Sequence, residues 1–126
     1  MRTVFFSFLL LLAILGSLFA YSSYLTHQSD ALISEIDGLL SATRAEDFGA
    51  VKSKMEGFTK SWEKAAPRLA LFTDHSTLDD IMLEAAEAKG YASSHESPEL
   101  LASLETLRSL ISHIPKREAL SLYDIF

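Results

Sequence analysis

The chain begins with a continuous apolar segment, and apolar residues then recur every three or four positions. No charged residue occurs from Val4 to Tyr21. About 20 apolar residues are enough for a helix to cross the roughly 30 Å hydrocarbon core of a bilayer. The segment 3–24 therefore predicts a transmembrane helix, with Tyr21 and Tyr24 placed where an interfacial aromatic belt would lie.

The same segment also contains the parts of a cleaved signal peptide. Arg2 provides a positive start, and Ala20-Tyr21-Ser22 fits a cleavage site with small residues at its outer positions. The apolar stretch is longer than the 7–15 residues that are roughly usual in signal peptides, and a helical pattern continues after it. We therefore favour a retained membrane anchor over residues 1–25, with cleavage as the alternative.

The charges on either side of this segment predict its orientation. Arg2 precedes it, whereas Asp30, Glu35 and Asp37 follow it before any basic residue appears. Because positively charged flanks stay in the cytoplasm, we expect a cytoplasmic N-terminus and an extracytoplasmic domain formed by residues 26–126. The predicted location is the cell membrane, with a single span whose partner is the lipid bilayer.

Four apolar stripes with helical spacing follow the predicted anchor, and no sustained alternating pattern of β-branched residues occurs. The stripes are Leu25, Leu32, Ile36, Leu39, Thr43; then Phe48, Val51, Met55, Phe58, Trp62, Ala65, Leu69, Phe72; then Leu78, Met82, Ala85, Lys89, Ala92, with Ile81 and Ala88 on the flank; then Leu100, Leu104, Leu107, Ile111, Ile114. They predict an all-α fold, in which an N-terminal transmembrane helix precedes a small antiparallel bundle of three to four helices. We expect the second stripe to face the fourth, with Ile36 and Leu39 joining them.

Capping residues predict where two of these helices begin. Ser76 followed by Asp79 has the outline of a capping box at the start of the third helix. Ser97-Pro98-Glu99 predicts the start of the fourth, with serine as the cap and proline at the first helical position. The first helix is expected to run from the membrane to about Ala42.

Two prolines lie within or after the helical stripes. Pro67 falls inside the second stripe, so it should kink or split that helix, and the continuous stripe favours a kink. Pro115 should end the fourth helix. The tail from Glu118 to Phe126 contains too many large apolar residues for a free end, so we expect it to pack back on the bundle.

Composition excludes several classes of protein. The net charge is −6, with 17 acidic residues against 11 basic ones, and all the acidic residues follow the apolar segment. A nucleic-acid binder or a polybasic membrane-surface domain would need a basic face instead. The chain has no cysteine, which excludes disulfides, thiolate metal sites and thiol catalysis.

Several short motifs occur in order along the chain. They are Trp62, Leu71-Phe72-x-Asp74-His75-x-x-Leu78-Asp79, Leu107, Ile111-x-His113-Ile114-Pro115, and Glu118-x-Leu120-Ser121-Leu122-x-x-Ile125-Phe126. With these motifs the chain resembles an uncharacterised bacterial family, a domain of unknown function. The members of this family are small helical proteins with one N-terminal membrane helix. The resemblance implies that topology and a helical fold, and it implies no activity.

The best candidates for chemistry surround the start of the third helix. His75 and Asp79 share a helix face and, with His113 or Glu118 nearby, could form a mixed nitrogen and oxygen metal site. The favoured interpretation is structural, because Asp74 and Asp79 are suited to stabilising a helix N-terminus. His113 is likewise expected to cap the end of the fourth helix.

No catalytic or cofactor-binding motif occurs in the sequence. Glycine-rich phosphate loops, dinucleotide fingerprints and nucleophile elbows are all missing. We therefore expect neither an enzyme nor a cofactor, but a membrane-anchored interaction module that binds another envelope or membrane protein. The alternative is a ligand- or metal-binding sensor, or an enzyme, that uses the Asp74/His75/Asp79 junction. An uncovered apolar groove would favour the first and a convergent polar pocket the second.

Overall fold

Four helices make up the fold. The computed structural model describes the backbone of residues 1–71 and 73–125, and the side chains of these residues as far as Ile114. The helices are α1 (Arg2–Arg44), α2 (Phe48–Leu69), α3 (His75–Ser93) and α4 (Ser97–Ile125). The described residues contain no strand, so the predicted all-α class is confirmed.

The helices form an antiparallel ring around one core. α1 packs against α2 and α4, and α3 packs against the same two helices. Over the described residues, no Cα atom of α2 lies within 8 Å of one in α4, so these two helices are diagonal neighbours. The second and fourth stripes therefore meet across the core, and not by direct packing of their helices.

The core is continuous and contains residues from every helix. Its buried apolar members are Leu25, Leu32, Ile36, Leu39, Leu40, Ala42, Val51, Met55, Phe58, Trp62, Ala65, Leu69, Leu78, Ile81, Ala88, Leu100, Leu104, Leu107, Ile111 and Ile114. The stripe predicted for α4 is thus buried in full. Phe48, the first residue of the α2 stripe, is half-buried, and Phe72, its last residue, lies outside the described residues.

The stripe predicted for α3 is rotated relative to the observed one. Leu78 is buried and Ala85 and Ala92 pack against the core as predicted, but Met82 and Lys89 do not. Ile81 and Ala88, which we placed on the flank, are 0% exposed, whereas Met82 is 57% exposed. Lys89 is also exposed. The cause is the alanine-rich sequence, because small side chains on several faces give little apolar contrast from which to locate the buried one.

α1 passes from the apolar segment into the bundle without a break. It has 43 residues, which corresponds to about 65 Å at 1.5 Å per residue. Residues 1–20 are exposed apart from the half-buried Leu18, while Tyr21 packs against the core and Leu25 is 1% exposed. Within the described residues, α1 alone is long and apolar enough to cross a membrane.

α1 and α3 end in the same way, with a non-glycine residue in the left-handed conformation. Glu46 has φ 56° and His95 has φ 55°. The residue after each donates its N–H to a carbonyl five positions earlier, which is the pattern of a Schellman motif. These bonds are Asp47 to Ala42 at 3.1 Å and Glu96 to Tyr91 at 3.0 Å.

The start of α4 differs from the prediction by one residue. The N–H of Leu100 donates to the carbonyl of Glu96 at 2.9 Å, so Glu96 precedes the helix and Ser97 is its first residue. The predicted serine cap is therefore wrong. The N–H of Glu96 also donates to the carbonyl of Tyr91 at the end of α3. Because one residue ends α3 and precedes α4, the connection between the two helices is short.

Pro115 does not end α4, which continues to Ile125. A proline cannot donate to the carbonyl four residues before it, here that of Ile111. The hydroxyl of Ser29, a residue only 2% exposed, donates to this carbonyl at 3.2 Å. α1 thus supplies the missing donor. The predicted packing of the tail concerns side chains that lie outside the described residues.

Pro67 does not split α2. The helix ends at Leu69, beyond the proline. The predicted stripe therefore stays on one helix from Phe48 to Leu69, as its unbroken spacing indicated.

The bond between Ser29 and Ile111 predicts a dependence on Pro115. Ser29→Ala should lower the free energy of unfolding by about 1–3 kcal/mol, because it leaves a buried carbonyl unsatisfied. In a Pro115→Ala background the N–H of residue 115 can satisfy the same carbonyl, so the loss should shrink. Denaturant unfolding of the detergent-solubilised chain, followed by the fluorescence of its single tryptophan, measures both. Equal losses in the two backgrounds would contradict this assignment.

Candidate functional site

A groove runs between α2 and α3, which pack against each other less closely than any other adjacent pair. It consists of two adjoining cavities of about 690 and 550 Å³. Thr59, Glu63 and Lys89 line both cavities, so the groove extends along much of the two helices.

The half of the groove nearer the predicted anchor is mainly apolar. Its floor includes Phe58 and Trp62, which also belong to the core. Met82, which is 57% exposed, lines it from α3. The remaining apolar lining is Ala66, Pro67, Ala70, Leu78, Ala85 and Ala86.

The other half of the groove has a charged rim of both signs. Its charged lining residues are Lys52, Glu56, Lys60, Glu63 and Lys89. The rings of Phe48 and His95 stack at its end, with centroids 4.3 Å apart and an angle of 8° between their planes. Histidine is one of the few side chains that adopt the left-handed conformation with some frequency, and the stack adds support for it here.

The groove stays open because α3 presents small side chains to part of the space beside α2. Ala85 and Ala86 line the groove on the α3 side, and Phe58 and Trp62 line it on the α2 side. A methyl side chain reaches only about one bond beyond the helix backbone, so the gap between the two helices stays open. The alanines of α3 were visible in the sequence, but the rotation that turns Met82 and Lys89 toward α2 was not.

Asp74 is the N-cap of α3. Its Oδ1 accepts the backbone N–H of Thr77 at 3.0 Å, and His75 is the first residue of the helix. The capping box predicted at Ser76 is therefore wrong, whereas the predicted role of Asp74 at this helix N-terminus is confirmed. Asp74, Ser76 and Asp79 all lie near this helix start, and spacing alone could not show which of them has the extended backbone of a cap. That residue is Asp74.

Of the predicted site residues that the structure describes, His75 and Asp79 lie together on α3 and His113 lies on another helix. His75 and Asp79 are exposed and line the apolar half of the groove. His113 lies on α4, where its Nδ1 is 2.6 Å from the carbonyl oxygen of Ser109. The side chain of Glu118 lies outside the described residues. Among described residues, no group of three or more histidine or acidic side chains could hold a metal ion.

The prediction that His113 caps the end of α4 is wrong. The helix continues to Ile125, so His113 lies within it. In the tautomer protonated at Nδ1, the ring donates to the Ser109 carbonyl one turn earlier on the same helix.

Polar contacts that the sequence did not reveal link two of the other helix pairs. The hydroxyl of Ser103 donates to Oε1 of Glu84 at 2.8 Å, which links α4 to α3. Arg108 Nε lies 2.8 Å from Oδ1 of Asp37, which links α4 to α1. The hydrogen bond and charge of Asp37 raise the pKa of Arg108, which is a cation in any case. Asp37 and Arg108 lie outside the groove.

The capping contact predicts a difference between two neighbouring residues. Asp74→Ala should lower the free energy of unfolding by about 1 kcal/mol, because the N–H of Thr77 loses its acceptor. Ser76→Ala, at an exposed position just inside the helix, should change it by less than about 0.5 kcal/mol. Thermal unfolding of the two variants provides the comparison. A larger loss from the serine variant would restore the capping box predicted from sequence.

Comparison with known proteins identifies a family but no function. No curated protein and no solved structure matches the chain. A family model described as a domain of unknown function, DUF4363, matches residues 19–125. The match covers the four-helix bundle together with the last turns of the apolar segment. The chain therefore belongs to the DUF4363 family of domains of unknown function.

Proposed function

We propose that this protein is a membrane-anchored, non-catalytic interaction module that binds a helix of another membrane or envelope protein in the groove between α2 and α3. The observation that carries the proposal is the apolar half of that groove, where the exposed Met82 and Pro67 stand beside a floor formed by Phe58 and Trp62. An uncovered apolar groove is typical of a surface that binds a partner.

The exposed apolar part of α1 supports the membrane anchor. Residues 2–20 form a helix with hardly any contact to the bundle. A helix that is apolar on all sides and exposed on all sides is stable in lipid but would aggregate in water. Together with the charges that flank it, this segment supports a cytoplasmic N-terminus and an extracytoplasmic bundle.

A helix is the occupant that suits the shape and chemistry of the groove. The groove is long and lies between two antiparallel helices, so a third helix can pack into it with its apolar face on Trp62 and Met82. The charged rim, with Lys60 and Glu63 on α2 and Lys89 on α3, can pair with polar residues on the sides of that helix. Such rim charges contribute more to specificity than to affinity.

The proposed topology predicts the accessibility of the bundle. The chain has no cysteine, so Glu46→Cys introduces a single thiol at an exposed position far from the anchor. A membrane-impermeant maleimide should label it in intact cells whose outer barrier has been made permeable. Labelling of lysed cells gives the reference value. A thiol that reacts only after lysis would place the bundle in the cytoplasm.

The proposed groove predicts different effects of two adjacent substitutions. Met82→Glu should abolish co-purification of the partner, because a carboxylate would be buried against the apolar floor. Leu83→Glu is a matched control, since Leu83 is 64% exposed and does not line the groove. Pull-down of the intact chain from detergent-solubilised membranes measures both.

Retention of the same partner by the Leu83 variant, together with its loss by the Met82 variant, would support the groove. If both variants retain the partner equally and unfold like the unmodified chain, the partner binds a surface other than the groove. A photo-reactive amino acid at position 82 identifies the chain that occupies the groove.

A further inference from the structure

A row of four charged side chains with alternating sign follows the α2 wall of the groove. From the start of α2 the row reads Lys52, Glu56, Lys60 and Glu63, and all four are exposed. The spacings of four, four and three positions place them one above another on a single face of the helix. At about 1.5 Å per residue, the row extends over roughly 17 Å. A helix in the groove would lie beside this row.

The row has no partner within the described part of the chain. Over the residues whose side chains the structure describes, neither an ion pair nor a hydrogen bond engages any of its four members. Opposite charges four positions apart can pair along one helix and stabilise it, but those pairs are not formed here. The ion pairs that the described residues do form, Arg44 with Glu105 and Arg108 with Asp37, link α1 to α4. The charges of the row therefore remain available to an occupant.

The α3 wall of the groove has a different pattern. Lys89 lines the same cavity as Lys60 from the opposite side, and among described residues no ion pair engages it. Between Lys89 and Asp79, the residues of α3 that line the groove are uncharged, namely Met82, Ala85 and Ala86. Because Lys60 and Lys89 lie on facing walls, they favour an acidic group between them. The two flanks of an occupant helix would therefore meet different charges.

A helix in the groove can match the row only at particular levels. Residues on one flank of a helix recur every three or four positions, which is also the spacing of the row. A flank that alternates acid and base can therefore place an opposite charge against each member. A displacement by one turn places a like charge against each member that the flank still faces, which is unfavourable. Charged residues beside the apolar seam of a coiled coil select partner and register in the same way.

We propose that the row of Lys52, Glu56, Lys60 and Glu63 sets the register of the occupant, which is an amphipathic helix with alternating acidic and basic residues on the flank that faces α2. This inference rests on the proposed binding of a helix in the groove. The apolar floor supplies affinity, and the row selects among helices that share the same apolar face. A helix whose flank carries its charges in blocks meets as many like charges as opposite ones.

Two synthetic peptides test the order of the charges and not their number. Both are helical, as long as α2 and free of tryptophan, and they have the same composition and apolar face. The flank of one peptide alternates acid and base, whereas the flank of the other carries two acids followed by two bases. Because composition and apolar face are equal, binding to lipid alone affects both peptides alike.

Binding is measured with the full-length chain in phosphatidylcholine nanodiscs, and empty nanodiscs give the background. The anisotropy of a dye on the peptide gives its Kd. Trp62, the single tryptophan of the chain, lines the groove, so its fluorescence reports whether the peptide contacts the floor.

An exchange of two charges within the row provides the variant. Glu56→Lys together with Lys60→Glu keeps the net charge but changes the order of the row to two bases followed by two acids. The matched control is Lys64→Glu together with Glu87→Lys, since both residues are exposed and neither lines the groove.

We expect the unmodified chain to bind the alternating peptide about tenfold more tightly than the block peptide, and the control to keep this preference. The exchanged variant should prefer the block peptide, and added salt should reduce both preferences. A reversed preference is a gain of binding, which a defect in folding cannot produce.

Equal affinity of the unmodified chain for both peptides, with a change in Trp62 fluorescence on binding, would overturn the role of the row and leave the groove in place. A preference for the alternating peptide that survives in the exchanged variant would have the same meaning. Absence of binding, or binding without a change at Trp62, would overturn the groove and the row together. The preference of the unmodified chain needs no substitution, so it decides the matter even where a variant is unstable.

Discussion

The continuity of α1 is the constraint on which the rest of the structure depends. One helix carries an exposed apolar segment at its start and a buried stripe from Leu25 to Thr43 at its end. A flexible linker would allow the bundle any orientation relative to the anchor, whereas a continuous helix transmits its direction across the boundary. Because α2 and α4 both pack on α1, their register relative to the anchor follows from that one helix.

Polar contacts are distributed unevenly among the four helix pairs. Buried or partly buried hydrogen bonds link α1 to α2 through Glu35 and Ser61, α1 to α4 through Ser29, and α3 to α4 through Ser103. The α2–α3 pair packs least closely, and its alanines leave the groove open. An occupant could therefore enter between α2 and α3 while the three better-packed pairs keep their contacts.

The sequence predicted the fold where apolar contrast was strong and failed where the deciding contact was distant. On α4 large apolar residues recur every three or four positions with polar residues between them, so its buried face was predicted correctly. On α3 the alanines hid the rotation that buries Ile81 and exposes Met82. The end of α4 was mispredicted because the donor that makes Pro115 tolerable, Ser29, lies far away in sequence. The groove itself depends on that same rotation, and spacing along one helix cannot reveal it.

The groove and the core share residues, and this couples binding to stability. Phe58 and Trp62 are 1% and 7% exposed, yet both line the groove. An occupant that packs on them binds the folded chain and not the unfolded one, so it raises the free energy of unfolding by mass action, by about 2.7 kcal/mol at a hundred times its Kd. The fluorescence of Trp62 reports on both events. A change in Trp62 fluorescence on binding, together with a rise in the free energy of unfolding, would therefore show that the occupant contacts the floor of the groove and not the anchor.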